Sequence, residues 1–369
     1  MKKLINIFIF SFFSFCISAQ SNTFRSILDQ NSTDIFTDAN LYKSDSIKYL
    51  KIGSRVFGVS TYENNEVCNT YLIGLGFKSK INNKLMLKGF YDYLDGKYSS
   101  QIIKYQDSLE VYYPGFGIKN NRFQFNAKYL ANKFITIDIG NGKQFIGDGY
   151  QSLLLSDEAS SYPYLKLTTE FGPVKYYNLY TTFINPNMVD YGRKKHTTIH
   201  YLDFAITKSI HFGVFESILW QSKSEQENRG YEFAYLNPVI FYRPVEFSKQ
   251  SHVANALMGV NFNATIFNSS ILYFQFLLDD LNISRQKDRD ENYEGGFFQN
   301  KYGYQLGLKG KIIDIGYLIE YNQVQPYTYG HRTILQNYSH MNQALAHPLG
   351  ANFKELINVL EMKKERLTY

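Results

Sequence analysis

Arg122-Phe123-Gln124-Phe125-Asn126-Ala127-Lys128-Tyr129 alternates apolar and polar residues without a break. A strand turns successive side chains to opposite faces. Phe123, Phe125, Ala127 and Tyr129 therefore share one face, and Arg122, Gln124, Asn126 and Lys128 the other. The same period recurs down the chain. Ile135, Ile137 and Ile139 oppose Thr136 and Asp138; Leu202, Phe204 and Ile206 oppose Tyr201 and Asp203. Val260, Phe262, Ala264 and Ile266 oppose Asn261, Asn263 and Thr265. Tyr302, Tyr304, Leu306 and Leu308 oppose Lys301, Gln305 and Lys309, and Ile313, Ile315, Tyr317 and Ile319 oppose Asp314 and Glu320. An apolar face toward lipid and a polar face toward a wet lumen is the pattern of a transmembrane β-barrel wall. The sequence therefore predicts an all-β fold, an antiparallel transmembrane barrel.

Composition agrees. The 369 residues include 32 Tyr and 30 Phe but one Trp and 8 Pro, as aromatic girdles at two membrane interfaces would need. Mean hydropathy is −0.31. Past the N-terminus no apolar run approaches the roughly 20 residues of a membrane-spanning helix. A barrel escapes that measure because only alternate residues face lipid. A Tyr-rich exported β-sandwich is the other class compatible with these counts. The net charge of +6 is spread along the chain rather than gathered in a block, so no nucleic-acid partner is expected.

The chain opens with Met1-Lys2-Lys3, an apolar stretch from Leu4 to Ile17, and Ser18-Ala19-Gln20. This is the layout of a secretory signal peptide over 1–19, cleaved after Ala19. A lipoprotein anchor at Cys16 is the alternative, but Phe13 and Phe15 are bulky where a lipobox needs small residues. With Cys16 removed, Cys68 has no partner for an intramolecular disulfide. Residues 20–50 are expected to form a short periplasmic segment with a helical turn within Thr23 to Gln30, followed by the barrel over 51–369. No repeat of 20–50 residues is visible, which disfavours solenoids and propellers.

Hairpin turns are expected at Ile81-Asn82-Asn83, Asn120-Asn121, Phe171-Gly172-Pro173, Asn268-Ser269-Ser270 and Lys309-Gly310-Lys311. Polar stretches at 95–110, 183–196, 221–230 and 284–300 are expected as surface loops, giving about a dozen to fourteen strands. Gln323 to Gly350 breaks the alternation and is rich in His, Asn and Tyr. A long segment without secondary structure in a compact domain is usually functional or disordered. Pro326, Pro348 and the aromatic rings favour an ordered loop folded over or into the barrel.

Three stretches carry a family resemblance. Gly140-Asn141-Gly142-Lys143-Gln144-Phe145-Ile146-Gly147-Asp148-Gly149-Tyr150-Gln151-Ser152-Leu153-Leu154-Leu155-Ser156-Asp157, with Ala159 and Pro163, resembles a segment of the capsule-assembly Wzi family. Tyr235-Leu236-Asn237-Pro238-Val239-Ile240-Phe241-Tyr242-Arg243, and Pro326 through Phe353 with its His-Pro-Leu-Gly-Ala-Asn, resemble a Bacteroidetes branch that includes proteins associated with gliding motility. The resemblance runs from about residue 130 to 355. It implies an outer-membrane barrel that binds or holds surface polysaccharide. Its implied partners are outer-membrane lipid, the polysaccharide, and gliding or secretion machinery. Family chains continue past His-Pro-Leu-Gly-Ala-Asn with further strands, whereas this sequence stops at Tyr369. The expectation is therefore a barrel incomplete at its C-terminus, or a smaller or open one.

Sugar binding needs aromatic rings to stack on pyranose faces, with amides and guanidinium groups to take hydroxyls and carboxylates. The candidates are Lys143, Gln144, Asp148 and Gln151 beside the glycine turns, Tyr242 with Arg243, and Tyr327, Tyr329, Asn337, Tyr338 and Asn342. A girdle or a packed plug accounts equally well for Tyr242, Arg243, Tyr327, Tyr329, Asn337, Tyr338 and Asn342, and sharp backbone turns for the glycines beside the first four. Gly140-Asn141-Gly142 is followed by an apolar strand expected at Leu153-Leu154-Leu155-Ser156 rather than by the helix a phosphate loop opens, so nucleotide binding is not expected. His196 and His200 have metal-ligand spacing only on a helix, and their neighbours form strands. For His331, His340 and His347 hydrogen bonding is favoured over a metal. The neighbours in Asp279-Asp280 and Asp157-Glu158 point apart on a strand, and no Gly-x-Ser-x-Gly elbow occurs. The expectation is a non-enzyme without cofactor or metal. A porin-like channel for small solutes is the alternative reading.

Overall fold

The computed structural model describes residues 48–63, 66–97, 122–188, 192–224, 228–238, 254–267, 269–281, 300–313, 315–331, 333–364 and 367–368. Residues 1–47, with the expected signal peptide and nearly all of the N-terminal segment, lie outside them. So do the Asn120-Asn121 turn and most of the loops expected at 95–110 and 284–300.

The strands are β1 (Tyr49–Glu63), β2 (Glu66–Lys80), β3 (Leu85–Gly96), β4 (Arg122–Leu130), β5 (Ile135–Gly142), β6 (Tyr162–Phe171) and β7 (Val174–Ile184). They continue as β8 (Lys194–Ala205), β9 (Ile210–Gln221), β10 (Ala254–Ile266), β11 (Ser270–Asp280), β12 (Lys301–Ile312) and β13 (Ile315–Val324). Then come β14 (Ser339–His340), β15 (Gln343–Ala344), β16 (Phe353–Lys364) and β17 (Leu367–Thr368). All except β14 and β15 form one 15-stranded sheet in strict sequence order, each strand antiparallel to the next. Among the described residues the sheet is open, with β1 and β17 at its edges.

Connections at one end are short turns. Asn82 and Asn132 build two of them alike: each side-chain Oδ1 accepts the N–H groups two and three residues on. At the other end all links but the two residues between β1 and β2 are long: 97–121, 143–161, 185–193, 222–253, 281–300 and 325–352. In outer-membrane barrels the short turns are periplasmic and the long loops extracellular.

The alternation holds in three dimensions. Ile319 is 50% exposed on the outer face while its neighbour Glu320 is fully buried; Leu306 and Gln305 divide likewise. Ile139, Leu356 and Leu360 continue the apolar outer belt. The polar face, however, does not meet a wet lumen. Asp138, Asn261, Gln275, Gln305, Glu320 and Asn322 are all buried, because chain fills the inside.

Three expected elements move. Lys309-Gly310-Lys311 is strand, not turn: Gly310 pairs with both Ser270 and Tyr317. A Cβ there would sit 2.7 Å from the Ser269 carbonyl oxygen and from the Tyr317 hydroxyl, so the residue is glycine for close packing. The reversal comes at Ile313, with φ of 55°. Leu153-Leu154-Leu155-Ser156 is not a wall strand but a fully buried internal segment, with an isolated Ile146–Leu155 bridge beside it. Of the loop expected at 183–196, both ends belong to β7 and β8.

Candidate functional site: a plugged barrel mouth

Two long-loop segments, 143–161 and 325–352, turn inward and pack on each other. Leu153, Leu154 and Leu155 form a buried cluster with Tyr162, Phe183, Phe215, Leu257, Leu277, Tyr329, Tyr338 and Leu345. Full burial of a leucine side chain contributes about 1.5–3 kcal/mol, which gives this plug a core of its own. The segments are also tied by polar bonds. The Tyr329 hydroxyl donates to the Leu153 carbonyl at 2.9 Å, and the Tyr338 hydroxyl to the Leu154 carbonyl at 3.0 Å. The Ser156 N–H donates to the Leu345 carbonyl, and Ser160 donates twice to Gln343 Oε1. Burial holds both phenols well above the usual tyrosine range, so the hydroxyls remain donors.

The inward polar residues of the wall satisfy the plug's backbone. Glu320 accepts the N–H groups of Tyr150 (2.6 Å) and Gln151 (3.2 Å), while also receiving the Tyr273 hydroxyl and the Asn322 amide. Gln275 accepts the Leu153 N–H, Gln305 donates to the Gln151 carbonyl, and Lys309 to that of Asp148. On the second segment, fully buried Lys195 donates to the Asn337 carbonyl (2.7 Å) and the Ser339 hydroxyl (3.0 Å). Asn255 donates to the Gln336 carbonyl, Lys301 to that of Gly330, and Asp279 accepts the Tyr329 N–H. Irregular backbone buried in a protein costs free energy unless it is paired, and the wall supplies that pairing. The glycines of the first segment permit the approach: a Cβ on Gly147 would overlap the Gln275 side chain, and one on Gly149 the Gln305 side chain.

The proposed sugar ligands fall into separate groups. Asp148 is held by Asn261 and Asn263, Gln144 accepts from Lys166, and Lys143 donates to the Glu158 carbonyl. Gln151 is buried with its backbone tied to Glu320 and Gln305. Tyr329 and Tyr338 lie stacked inside the plug, 6.1 Å apart. Asn337 accepts the His331 N–H through Oδ1, and Asn342 adopts φ of 58° in the β14–β15 turn. Tyr327 stands 73% exposed at the mouth. Tyr242 and Arg243 lie outside the described residues.

The histidines are dispersed. His340 Nδ1 accepts the Ile184 N–H and its ring packs on Tyr162 and Phe183, and this burial pushes its pKa down to about 3. His347 meets Glu355 at 2.9 Å. His196 and His200 share the outer face of β8, four residues apart along an extended strand. Among the described residues no three His, Cys, Asp or Glu side chains gather as a metal site.

Sequence reasoning missed a third loop segment, one that packs on the outside. Residues 229–238 run down the outside of the wall over β7–β10. Trp220 Nε1 donates to the Gly230 carbonyl, Thr198 to that of Tyr235, Tyr180 to that of Leu236 and Tyr176 to that of Pro238. The Tyr231 ring stacks on His196 at 4.0 Å. This strap accounts for a run of outward polar residues, His196, Thr198 and His200, all buried where lipid-facing residues would be apolar. Those polar residues on an apolar-facing register were the available signal.

No family model matches the chain, and no curated protein matches it. Solved structures do. The chain is similar to Wzi of Escherichia coli, an outer-membrane protein involved in group 1 capsule assembly and described as a carbohydrate-binding β-barrel. The TM-score is 0.56 at 14% identity, over 86% of this chain and 67% of that one. The fold is that of an outer-membrane β-barrel. Salmonella typhi OmpF, solved with daunomycin, aligns at 9% identity and a TM-score of 0.34, over 74% of this chain and 88% of that one. OmpT of Vibrio cholerae aligns at 12% identity and 0.34, over 78% and 89%. An outer-membrane location follows from the fold together with the apolar outer belt.

Proposed function

We propose that this protein is a non-enzymatic outer-membrane barrel that binds or holds surface polysaccharide at its plugged extracellular mouth. The observation that carries the reading is the plug itself. Inward polar residues from β6 to β16 hold two loop segments across the lumen, so the mouth is a fixed surface rather than an open passage. Exposed Tyr327 offers a ring for stacking, and Leu349 and Ile334 are exposed on the same segment. The likeness to a carbohydrate-binding barrel supports the ligand class, and the sequence resemblance to a gliding-associated branch supports a role in retaining or moving surface polymer.

The test is glycan binding by the purified full-length protein in detergent, paired with Tyr327→Ala. Retention of surface glycan, weakened in the variant while heat-modifiable gel migration is unchanged, is the expected result. For the cellular role, a deletion strain should lose surface polymer or colony spreading. Absence of glycan binding together with steady single-channel conductance would replace this reading with the porin-like one.

A further inference from the structure

Turns are ordinarily polar, yet the short-turn end of this wall is not. Each of the six short turns between β2 and β13 carries a large exposed apolar residue at or beside its tip: Ile81, Phe134, Phe171, Ile206, Phe267 and Ile313. Phe267 is 89% exposed, Ile313 86% and Phe171 67%, so packing within the chain accounts for little of them. The Phe134 and Phe171 rings, on neighbouring turns, lie 5.4 Å apart. Phe267 and Ile313 hold φ of 50° and 55°, a left-handed backbone that glycine or asparagine adopts more readily. Apolar side chains kept at strained, open tips point to a contact made outside the chain.

Height identifies that contact as lipid. Tyr304, Gln323 and Lys354 pair side by side across β12, β13 and β16 on the outer face. The Tyr304 and Tyr321 hydroxyls both donate to Gln323 Oε1, and Lys354 is exposed, so this polar row marks the upper edge of the apolar belt. Ile313 comes about nine residues after Tyr304, and at roughly 3.4 Å per residue and a tilt of about 40° that descent covers roughly 23 Å. The apolar band of an outer-membrane barrel is about 25 Å tall, so its lower edge falls at the turns and not above them. The belt also runs into the turns without a polar break, through exposed Phe204, Phe212, Leu272 and Ile312.

Charge narrows the lipid. The six turn sequences hold three lysines, Lys84, Lys133 and Lys208, against one acid, Asp314. All three lysines are exposed, and the Lys133 ammonium lies 4.7 Å from the centre of the Phe134 ring. Glu170, beside the Phe171 turn, is bridged to Lys175 at 2.9 Å. A lysine stem lies along apolar surface while its ammonium reaches toward headgroups.

We propose that these turns form a collar sunk in the periplasmic leaflet of the outer membrane, with the Phe and Ile side chains among acyl chains and Lys84, Lys133 and Lys208 on the phosphates of an anionic phospholipid. The collar sets the depth of the barrel and favours anionic over zwitterionic lipid. It rests on the outer-membrane fold and stands apart from whatever the mouth binds.

The experiment uses the full-length protein in nanodiscs of phosphatidylethanolamine, with or without phosphatidylglycerol. Ile313→Trp and Phe267→Trp are read against the wild type, whose Trp220 gives the baseline. Lipid brominated on its acyl chains should quench the new tryptophans, and iodide in the water should not. Iodide quenching without bromolipid quenching in both variants overturns the collar and leaves these tips to a periplasmic protein. For the charge, phosphatidylglycerol should raise the heat-modifiability transition of the wild type, and Lys84→Gln/Lys133→Gln/Lys208→Gln should lose that rise. High salt should erase the same rise in the wild type, which covers a triple variant that does not fold. A transition equal in the two lipids, or a rise that survives both the variant and salt, overturns the anionic preference.

Discussion

Replacing Glu320 tests whether the wall holds the plug. Its buried carboxylate receives four donors: the backbone N–H groups of Tyr150 and Gln151, the Tyr273 hydroxyl and the Asn322 amide. Glu320→Ala removes every acceptor at once. Each buried donor left unsatisfied costs about 1–3 kcal/mol, so the loss is about 4 kcal/mol at the low end if water does not enter. Glu320→Gln keeps the shape but turns one acceptor oxygen into a donor, so about half of that loss is expected. The cost falls on plug attachment, because two of the four donors are plug backbone while β13 keeps its ladder to β12 and β16. Hydrogen exchange followed by mass spectrometry should show the 148–155 amides exchanging faster in Glu320→Ala, with wall amides of β12 and β13 still protected. Planar-bilayer recordings should show opening events absent from the wild type. Unchanged exchange at Tyr150 and Gln151 would refute the view that this carboxylate anchors the segment.

Other consequences follow from the same geometry. Gly149→Ala should loosen the first plug segment, since the added methyl meets the Gln305 side chain and the Gln151 carbonyl; protease sensitivity near 149 checks it, and resistance equal to wild type would count against the packing. Lys195→Met should cost about 1–3 kcal/mol by orphaning the Asn337 carbonyl, read as an earlier heat-modifiability transition. His340 is neutral in the fold with a pKa of about 3, against about 6.5 when unfolded. The unfolded chain therefore takes up the proton first as pH falls, and stability should drop by about 1.4 kcal/mol per unit below about pH 6.5, down to about 3. His340→Gln should flatten that slope in acid melts. Trp220, the sole tryptophan of the chain, lies under the strap, so brominated lipid should quench it weakly; strong quenching would mean that lipid reaches this sector.

The β-wall was legible because its cause is local. Alternation in Arg122–Leu130 or Ile315–Val324 needs only the pleat to become an outside and an inside. Turns whose side chains cap their own backbone, such as the one at Asn82, were legible for the same reason. The turn at Ile313 was not, since a β-branched residue with positive φ carries no turn signal and is imposed by the strands on either side. Gly310 carried a misleading one, because its role is to make room for Tyr317.

The site was legible only in outline. The long Gln323–Gly350 stretch announced an ordered loop, and the two family-like segments that build the plug were both visible as motifs. What the sequence could not separate is a tyrosine that faces a ligand from one that holds a plug together. Tyr327 and Tyr329 are two residues apart, yet one is exposed and the other donates to Leu153 inside. Partners 176 residues apart decide that difference, and no local pattern encodes them. The strap over Thr198 and Trp220 is likewise a non-local pairing of side-chain donors with loop carbonyls. The sequence alone determined that there is a wall with a lipid side and a polar side, since that follows from period and composition. Only the tertiary structure decided what the polar side holds, because buried backbone must find its partners wherever the fold brings them.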